Sequence, residues 1–153
     1  MANANLAQTI KQQILVRLQA LKAAGAISSI AELEEQANPL KIEPDNGYPL
    51  AVCAMPEVTS DYADQANNLR VYVFNILVVM NPQTMTANAG EAVEVLMDKV
   101  LGQFDDLTNI TLAGAAQAAV LPMEIQGFPV STADKTWLCF VATIRARTLY
   151  QIS

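Results

Sequence analysis

Two long stretches of the chain repeat apolar residues at helical spacing. In the first stretch, steps of three and four residues place five apolar side chains on one face of an amphipathic helix over residues 5–24: Leu6, Ile10, Ile14, Leu18 and Leu21. Gly25 then stands where glycine commonly ends a helix. A second long helix begins at Ala89, and its apolar stripe consists of Val93, Leu96, Met97, Val100, Leu101, Phe104 and Leu107.

Between these helices the pattern is shorter and more mixed. Ser28 or Ser29 could cap a short helix over Ile30–Gln36, which is rich in glutamate in its first turns. Residues 37–49 contain three prolines and an Asp-Asn-Gly turn, which indicates a structured connection. The polar segments 57–68, 81–88 and 127–135 are predicted as loops, and loops on a rigid sheet commonly carry recognition.

Four stretches have the pattern of strands: Leu50–Met55, Leu69–Met80, Ala118–Gln126 and Trp137–Tyr150. Leu69–Met80 is apolar on both faces, which is typical of a central strand. Pro122 cannot donate a ladder hydrogen bond, so the third stretch is predicted as an edge strand or a bulge.

The order of the predicted elements is α-α-β-β-α-β-β. Hairpin-like pairs on each side of a central helix favour an α+β fold, with an antiparallel sheet of about four strands and helices packed on one face. The 153 residues fit a single domain over 1–153 and can bury a core. No internal repeat is evident in the sequence.

The doubly apolar strand raises the question of what covers the second face of the sheet. Two amphipathic helices are too few to cover both sides of a four-stranded sheet, so a neighbouring copy is a natural cover. Charged residues are only 16% of the chain, against about 25% in typical globular domains. The alternative is a monomer whose surface is rich in Ala, Thr, Asn and Gln.

The charge of the chain argues against several classes of partner. The formal net charge is −6, from 9 basic and 15 acidic residues, and no stretch clusters lysine or arginine. Sequence-independent binding of nucleic acid and binding to an anionic membrane both need a basic surface, so neither is expected. The N-terminus lacks the pattern of a signal peptide, and no run reaches the roughly 20 apolar residues of a membrane span. Assembly in the cytoplasm is therefore expected.

The residues that usually carry catalysis are sparse. Histidine is absent, which removes the commonest general base and metal ligand. No glycine-rich phosphate loop is present. The pairs Glu34–Glu35 and Asp105–Asp106 are adjacent in sequence, so on a helix they point about 100° apart and form no acid–base dyad. The sequence therefore predicts no catalytic residues, no cofactor and no metal.

The two cysteines, Cys53 and Cys139, both lie in apolar, strand-like runs and have no metal-binding spacing. Buried free thiols are the preferred interpretation. A disulfide would require that the two strands are neighbours.

The last predicted strand carries Arg145 and Arg147 on one face, which begins apolar and ends cationic. One interpretation is a strand that runs out of the core into solvent. The other is a salt bridge between subunits, because the planar guanidinium pairs well with carboxylates of a neighbour's loop. The candidate interface residues are Arg70, Arg145, Arg147, Asp61, Tyr62 and Asp64.

Five segments together resemble the tail terminator (tail completion, head–tail joining) proteins of bacteriophages. They are LKAAG at the end of the first helix, YPLAV at Tyr48–Val52, RVYVFNILVV at Arg70–Val79, NAGEAVEVLMDKVLGQF at Asn88–Phe104 and WLCFVATIRAR at Trp137–Arg147. The resemblance implies a hexameric ring in the tail or neck of a virion. Such a ring caps the tail tube, ends its polymerisation and joins it to the head-side connector, while DNA passes through the channel without specific binding. The family has no catalytic residues.

Two other functions remain open at this point. The chain could be another neck, connector or tube subunit of a phage or contractile injection system. It could also be a small enzyme or ligand-binding domain.

Overall fold

The computed structural model describes residues 6–32, 47–54, 56–62, 65, 67–80, 89–111, 117–131 and 136–151. Within these ranges the chain forms two helices, α1 (Leu6–Ala23) and α2 (Ala89–Phe104). It also forms eight strands: β1 (Ser29–Glu32), β2 (Leu50–Cys53), β3 (Glu57–Tyr62), β4 (Asn67–Val79), β5 (Asn109–Thr111), β6 (Gln117–Val120), β7 (Glu124–Ser131) and β8 (Thr136–Gln151).

Helix α1 confirms the helix predicted near the N-terminus. Its buried side chains are the five that the spacing selects: Leu6, Ile10, Ile14, Leu18 and Leu21. Gly25 has a positive φ of 81°. The Gly25 amide donates to the Lys22 carbonyl and the Ala26 amide donates to the Leu21 carbonyl. This pair of bonds is the Schellman arrangement that ends many helices.

Helix α2 confirms the second predicted helix. It buries Val93, Leu96, Val100 and Phe104 in one core cluster with α1 and with the even-numbered residues of β4 and β8. The two helices are also joined directly, because the Arg17 guanidinium donates to the Gln103 carbonyl and forms an ion pair with Asp106. The carbonyl lies near the C-terminal end of α2, where a cation is favourable.

The sheet is built around two long antiparallel strands. Strands β4 and β8 pair from Asn67 opposite Gln151 to Val79 opposite Cys139. Strands β2 and β3 follow one another along the outer edge of β4, and β6 and β7 do the same along β8. Strand β1 extends the sheet beside β2 in parallel, and β5 extends it beside β6 in antiparallel orientation.

Within the described residues, each half of the chain has the same order of elements, a helix followed by four strands of which the last is long and central, although β1 pairs in parallel and β5 in antiparallel orientation. Phe74 of β4 lies opposite Ile144 of β8, close to the middle of the paired region of the two long strands. On each edge, the register with the central strand shifts by one residue between the two paired segments, near Pro56 and Pro122. Such bulges suit proline, which has no amide hydrogen to offer. The repeat is therefore visible in the structure although not in the sequence.

The predicted fold class is wrong. The sheet is mixed, has eight strands and curls into a half-barrel, so it is not an antiparallel sheet of about four strands with helices on one face. The predicted short helix over Ile30–Gln36 begins instead within β1, whose pairing with β2 overrides the local preference for helix. Its remainder lies outside the described residues.

Three further segments differ from the prediction. Residues 57–62 form strand β3 rather than a loop, and residues 127–131 belong to β7 rather than to a loop. The single strand predicted over Ala118–Gln126 is two strands, because the bulge at Pro122 separates β6 from β7. The predicted loop over residues 81–88 lies outside the described part of the chain.

Candidate assembly surface

The two faces of the sheet have different surroundings. Successive residues of a strand point to opposite faces. The even-numbered residues of β4 and β8 point into the helix-covered core, and those that are buried there are Tyr72, Phe74, Ile76, Val78, Phe140, Ala142, Ile144 and Ala146. The odd-numbered residues point to the second face, which the two helices do not cover.

Part of this second face is closed within the chain. Near β2, Leu50, Val52, Val79 and Cys139 are each only 1% exposed. Farther toward β3 the face opens: Val71 and Val73 are half-buried, and Leu149 is 56% exposed. The apolar pattern of residues 69–80 predicts that this whole face of the strand needs a cover. The uncovered area on the second face of the sheet is therefore smaller than predicted. We call the uncovered part the open face: Val71, Val73, Asn75, Leu77, Val141, Thr143, Arg145, Arg147 and Leu149.

Polar side chains occupy the centre of the open face and satisfy one another. The Thr143 hydroxyl donates to the Asn75 side-chain oxygen at 2.9 Å. Arg145 Nη1 donates to Glu124 Oε2 at 2.8 Å, as a charge-assisted bond. Arg145 therefore has a carboxylate partner in its own chain, and its predicted role between subunits stays a prediction.

Strand β3 forms the edge of the sheet beside the open face. All six of its residues are exposed. Alternation places Glu57, Thr59 and Asp61 on the same side as the open face, because Glu57 pairs with Val73 and Thr59 pairs with Val71. The other three residues, which include Val58 and Tyr62, point to the helix side of the sheet.

The cross-strand register orders charge across the open face. Glu57, Val73 and Arg145 lie in one row across β3, β4 and β8. Thr59, Val71 and Arg147 lie in the next row. The open face thus has an apolar part on β4 and a basic row on β8, and the acidic edge of β3 borders it.

The structure divides the six residues predicted to form an interface. Asp61, Arg145 and Arg147 share the open-face side of the sheet. Arg70 is paired with Ser60 and Thr148 on the opposite side, and Tyr62, which is 84% exposed, points to that side too. Asp64 lies outside the described residues.

Sequence reasoning missed Glu57 and Glu124. Both stand at the start of an edge strand, directly after a bulge. For Glu57 the available signal was the alternation along residues 57–62, in which Glu57, Thr59 and Asp61 alternate with Val58, Ser60 and Tyr62. That signal is weak because β3 is exposed on both of its faces.

The cysteines confirm the prediction of buried free thiols. Cys53 is in the helix-covered core, whereas Cys139 pairs with Val79 on the second face. The two side chains therefore lie on opposite sides of the sheet, which excludes a disulfide between them. Burial raises the pKa of the Cys139 thiol to about 11, so this thiol is protonated at neutral pH.

One groove among the described residues offers little polar chemistry. A groove of about 510 Å³ lies between the end of α1, the start of β2 and α2, and is lined by Gly25, Ala26, Pro49, Met80, Ala92, Val95, Leu96 and Lys99. A ligand site normally adds several convergent polar groups to such an apolar lining, and here Lys99 is the charged one. Among the described residues, no three His, Cys, Asp or Glu side chains come together to hold a metal ion.

Neither of the two described helices is long and apolar enough to cross a membrane.

Comparison with known proteins shows a shared fold and little more. No protein-family model matches the chain. No curated protein matches it either. One solved protein structure, whose name carries no functional description, matches with a TM-score of 0.53 and 19% sequence identity. The match covers 95% of this chain and 97% of the other. At this identity the likeness establishes that the fold occurs in another protein of similar length.

Proposed function

We propose that the chain is a structural virion protein whose copies form a hexameric ring on the end of a phage tail tube. The ring ends the polymerisation of the tube and joins the tail to the head-side connector or neck proteins. This assignment derives from the sequence resemblance to tail terminator proteins, and the open face is the observation on the molecule that supports it.

The open face has the composition of a surface that other chains cover. Specific interfaces commonly combine an apolar centre with a polar, charged rim. Here Val71 and Val73 form an apolar part on β4, and the acids of β3 and the arginines of β8 lie on either side of it. Leu149 adds an exposed apolar side chain at the β3 end.

The sheet gives this surface a rigid base. Strands β4 and β8 pair without interruption along thirteen residue pairs, and the core of the helix side buries the other face of the same strands. A ring also requires two different patches on each subunit, because head-to-tail contacts close into rings. The net charge of −6 suits a channel through which DNA passes without being held.

The test is an effect on tube length. Purified tube protein is allowed to polymerise with and without the chain, and tubes are measured by electron microscopy. We expect a ring at one end of each tube and shorter tubes as the chain is added. Unchanged lengths, together with no ring at any end, would contradict the proposal.

A matched pair of variants connects this effect to the open face. Leu149→Asp places a charge on the open face, whereas Val16→Asp places one on α1, on the other side of the molecule. The two side chains are similarly exposed, 56% and 60%. We expect Leu149→Asp to lose capping and Val16→Asp to keep it. Open-ended filaments of the chain alone would instead favour a tube subunit.

A further inference from the structure

We infer that copies of this chain meet head to tail, with the acidic edge of β3 on one copy set against Arg147 on the next. The inference rests on the proposed self-assembly and names the residues that would carry it. The molecule that we infer covers the open face is a second copy of this chain.

The acidic side of the contact is Glu57 and Asp61. Both are exposed and both point to the open-face side of β3. Within the described ranges neither forms an ion pair; the Asp61 carboxylate accepts a hydrogen bond from the Tyr62 amide. Val58 is 47% exposed although it points to the helix side, so the helices do not reach over this edge. The edge of β3 is thus accessible to another molecule.

The basic side of the contact is Arg147. It is exposed on β8 in the row that contains Val71. Its neighbour Arg145 is held by Glu124, whereas Arg147 forms no ion pair with the part of the chain that the structure describes. One face therefore presents two acids and one arginine that are not neutralised by each other.

These charges lie on strands that are not neighbours. Strand β4 separates β3 from β8. Neighbouring strands are about 4.8 Å apart, so the backbones of the acidic and basic strands lie roughly 10 Å apart, and among the described residues no ion pair joins them across β4. In a head-to-tail arrangement, one neighbouring copy supplies an acid for Arg147 and the other neighbouring copy supplies an arginine for the acids. Such a contact is heterologous and leads to a closed ring when its rotation permits.

Charge reversal tests the pairing. The first variant is Arg147→Glu, and the second reverses the edge with Glu57→Arg and Asp61→Arg together. The third combines all three changes. Lys99→Glu, on the exposed side of α2, changes the net charge by the same amount as Arg147→Glu and is the control for that variant. Assembly is followed by sedimentation and native mass spectrometry, and circular dichroism reports on folding.

We expect the first and second variants to assemble at least about tenfold more weakly, since charge pairs that interfaces exclude from water couple strongly. The triple variant is expected to regain most of the wild-type assembly, and Lys99→Glu to match the wild type. Assembly restored in the triple variant would also exclude simple misfolding as the cause of weak assembly in the first and second variants.

Each remaining outcome overturns the inference in a recognisable way. Full-strength rings from Arg147→Glu, or no recovery in the triple variant, overturn the pairing and leave the proposed ring in place. Assembly that stops at two copies shows a self-complementary contact instead. Rings that persist while tube binding is lost show that Arg147 faces the tube protein. A wild-type chain that never assembles, alone or on tube ends, overturns both the pairing and the ring.

Discussion

Gly127 lies in β7 opposite Phe140, on the side of the sheet that α2 covers. A Cβ atom at this position would lie 2.6 Å from Cε of Met97. Carbon atoms pack best at about 3.5–4.0 Å. The substitution Gly127→Ala therefore forces the end of the Met97 side chain to move, and it probes directly whether α2 packs on β7.

The size of the effect follows from two opposing contributions. Alanine is favoured over glycine inside a strand by roughly 0.5–1 kcal/mol. Overpacking costs about 1–3 kcal/mol, and the flexible Met97 places the cost toward the lower end. We expect Gly127→Ala to lower the free energy of unfolding by between about zero and 2 kcal/mol. In a Met97→Ala background the clash is gone, and the same change should raise that free energy by about 0.5–1 kcal/mol.

The assay is urea unfolding of the four proteins of this cycle, followed by circular dichroism. All four are measured at one protein concentration, because self-assembly would add concentration-dependent stability. We expect a coupling free energy of about 1–3 kcal/mol between the two positions. The same effect of Gly127→Ala in both backgrounds would refute the packing of α2 over this part of β7.

Three other predictions follow from the core and its contacts. Phe74→Ala, at the centre of the sheet and 0% exposed, should cost about 3–5 kcal/mol in urea unfolding, whereas Leu149→Ala should cost less than about 1 kcal/mol. Arg17→Ala removes both the bond to the α2 carbonyl and the ion pair, and should lower the melting temperature, with partial recovery in Arg17→Lys. Burial raises the folded-state pKa of Cys139 from 9.0 to about 11. The thiol's contribution to the free energy of unfolding is therefore fully present below pH 9.0 and is lost as the pH rises toward 11. We expect the loss of stability over that range to be smaller in Cys139→Ala.

The helices could be predicted because their apolar residues follow a strict period. The buried side of α1 is the side that the spacing selects, and Gly25 ends the helix as its position suggests. The strand β3 could not be predicted in this way, since an edge strand exposed on both faces has no apolar alternation to detect. Strand β1 is short, and its identity depends on pairing with a distant part of the chain.

The candidate surface was predictable only in part, for a related reason. Arg145 and Arg147 share a face because β8 is a regular strand, and regularity is visible in the sequence. The partner of Arg145 is Glu124, which depends on the bulge that precedes β7. The acidic edge depends on β3 being a strand. The Arg145–Glu124 ion pair and the acidic edge both arise from pairing between distant parts of the chain, so no local sequence pattern predicts them.

The central claim is that copies of this chain close into one ring. The most direct measurement is native mass spectrometry of the purified chain, alone and after release from tube ends, with electron microscopy of the same samples. We expect a single species with six times the chain mass of 16.5 kDa and a ring-shaped image. A chain that stays monomeric in both samples, or that grows into filaments of unlimited length, would contradict it.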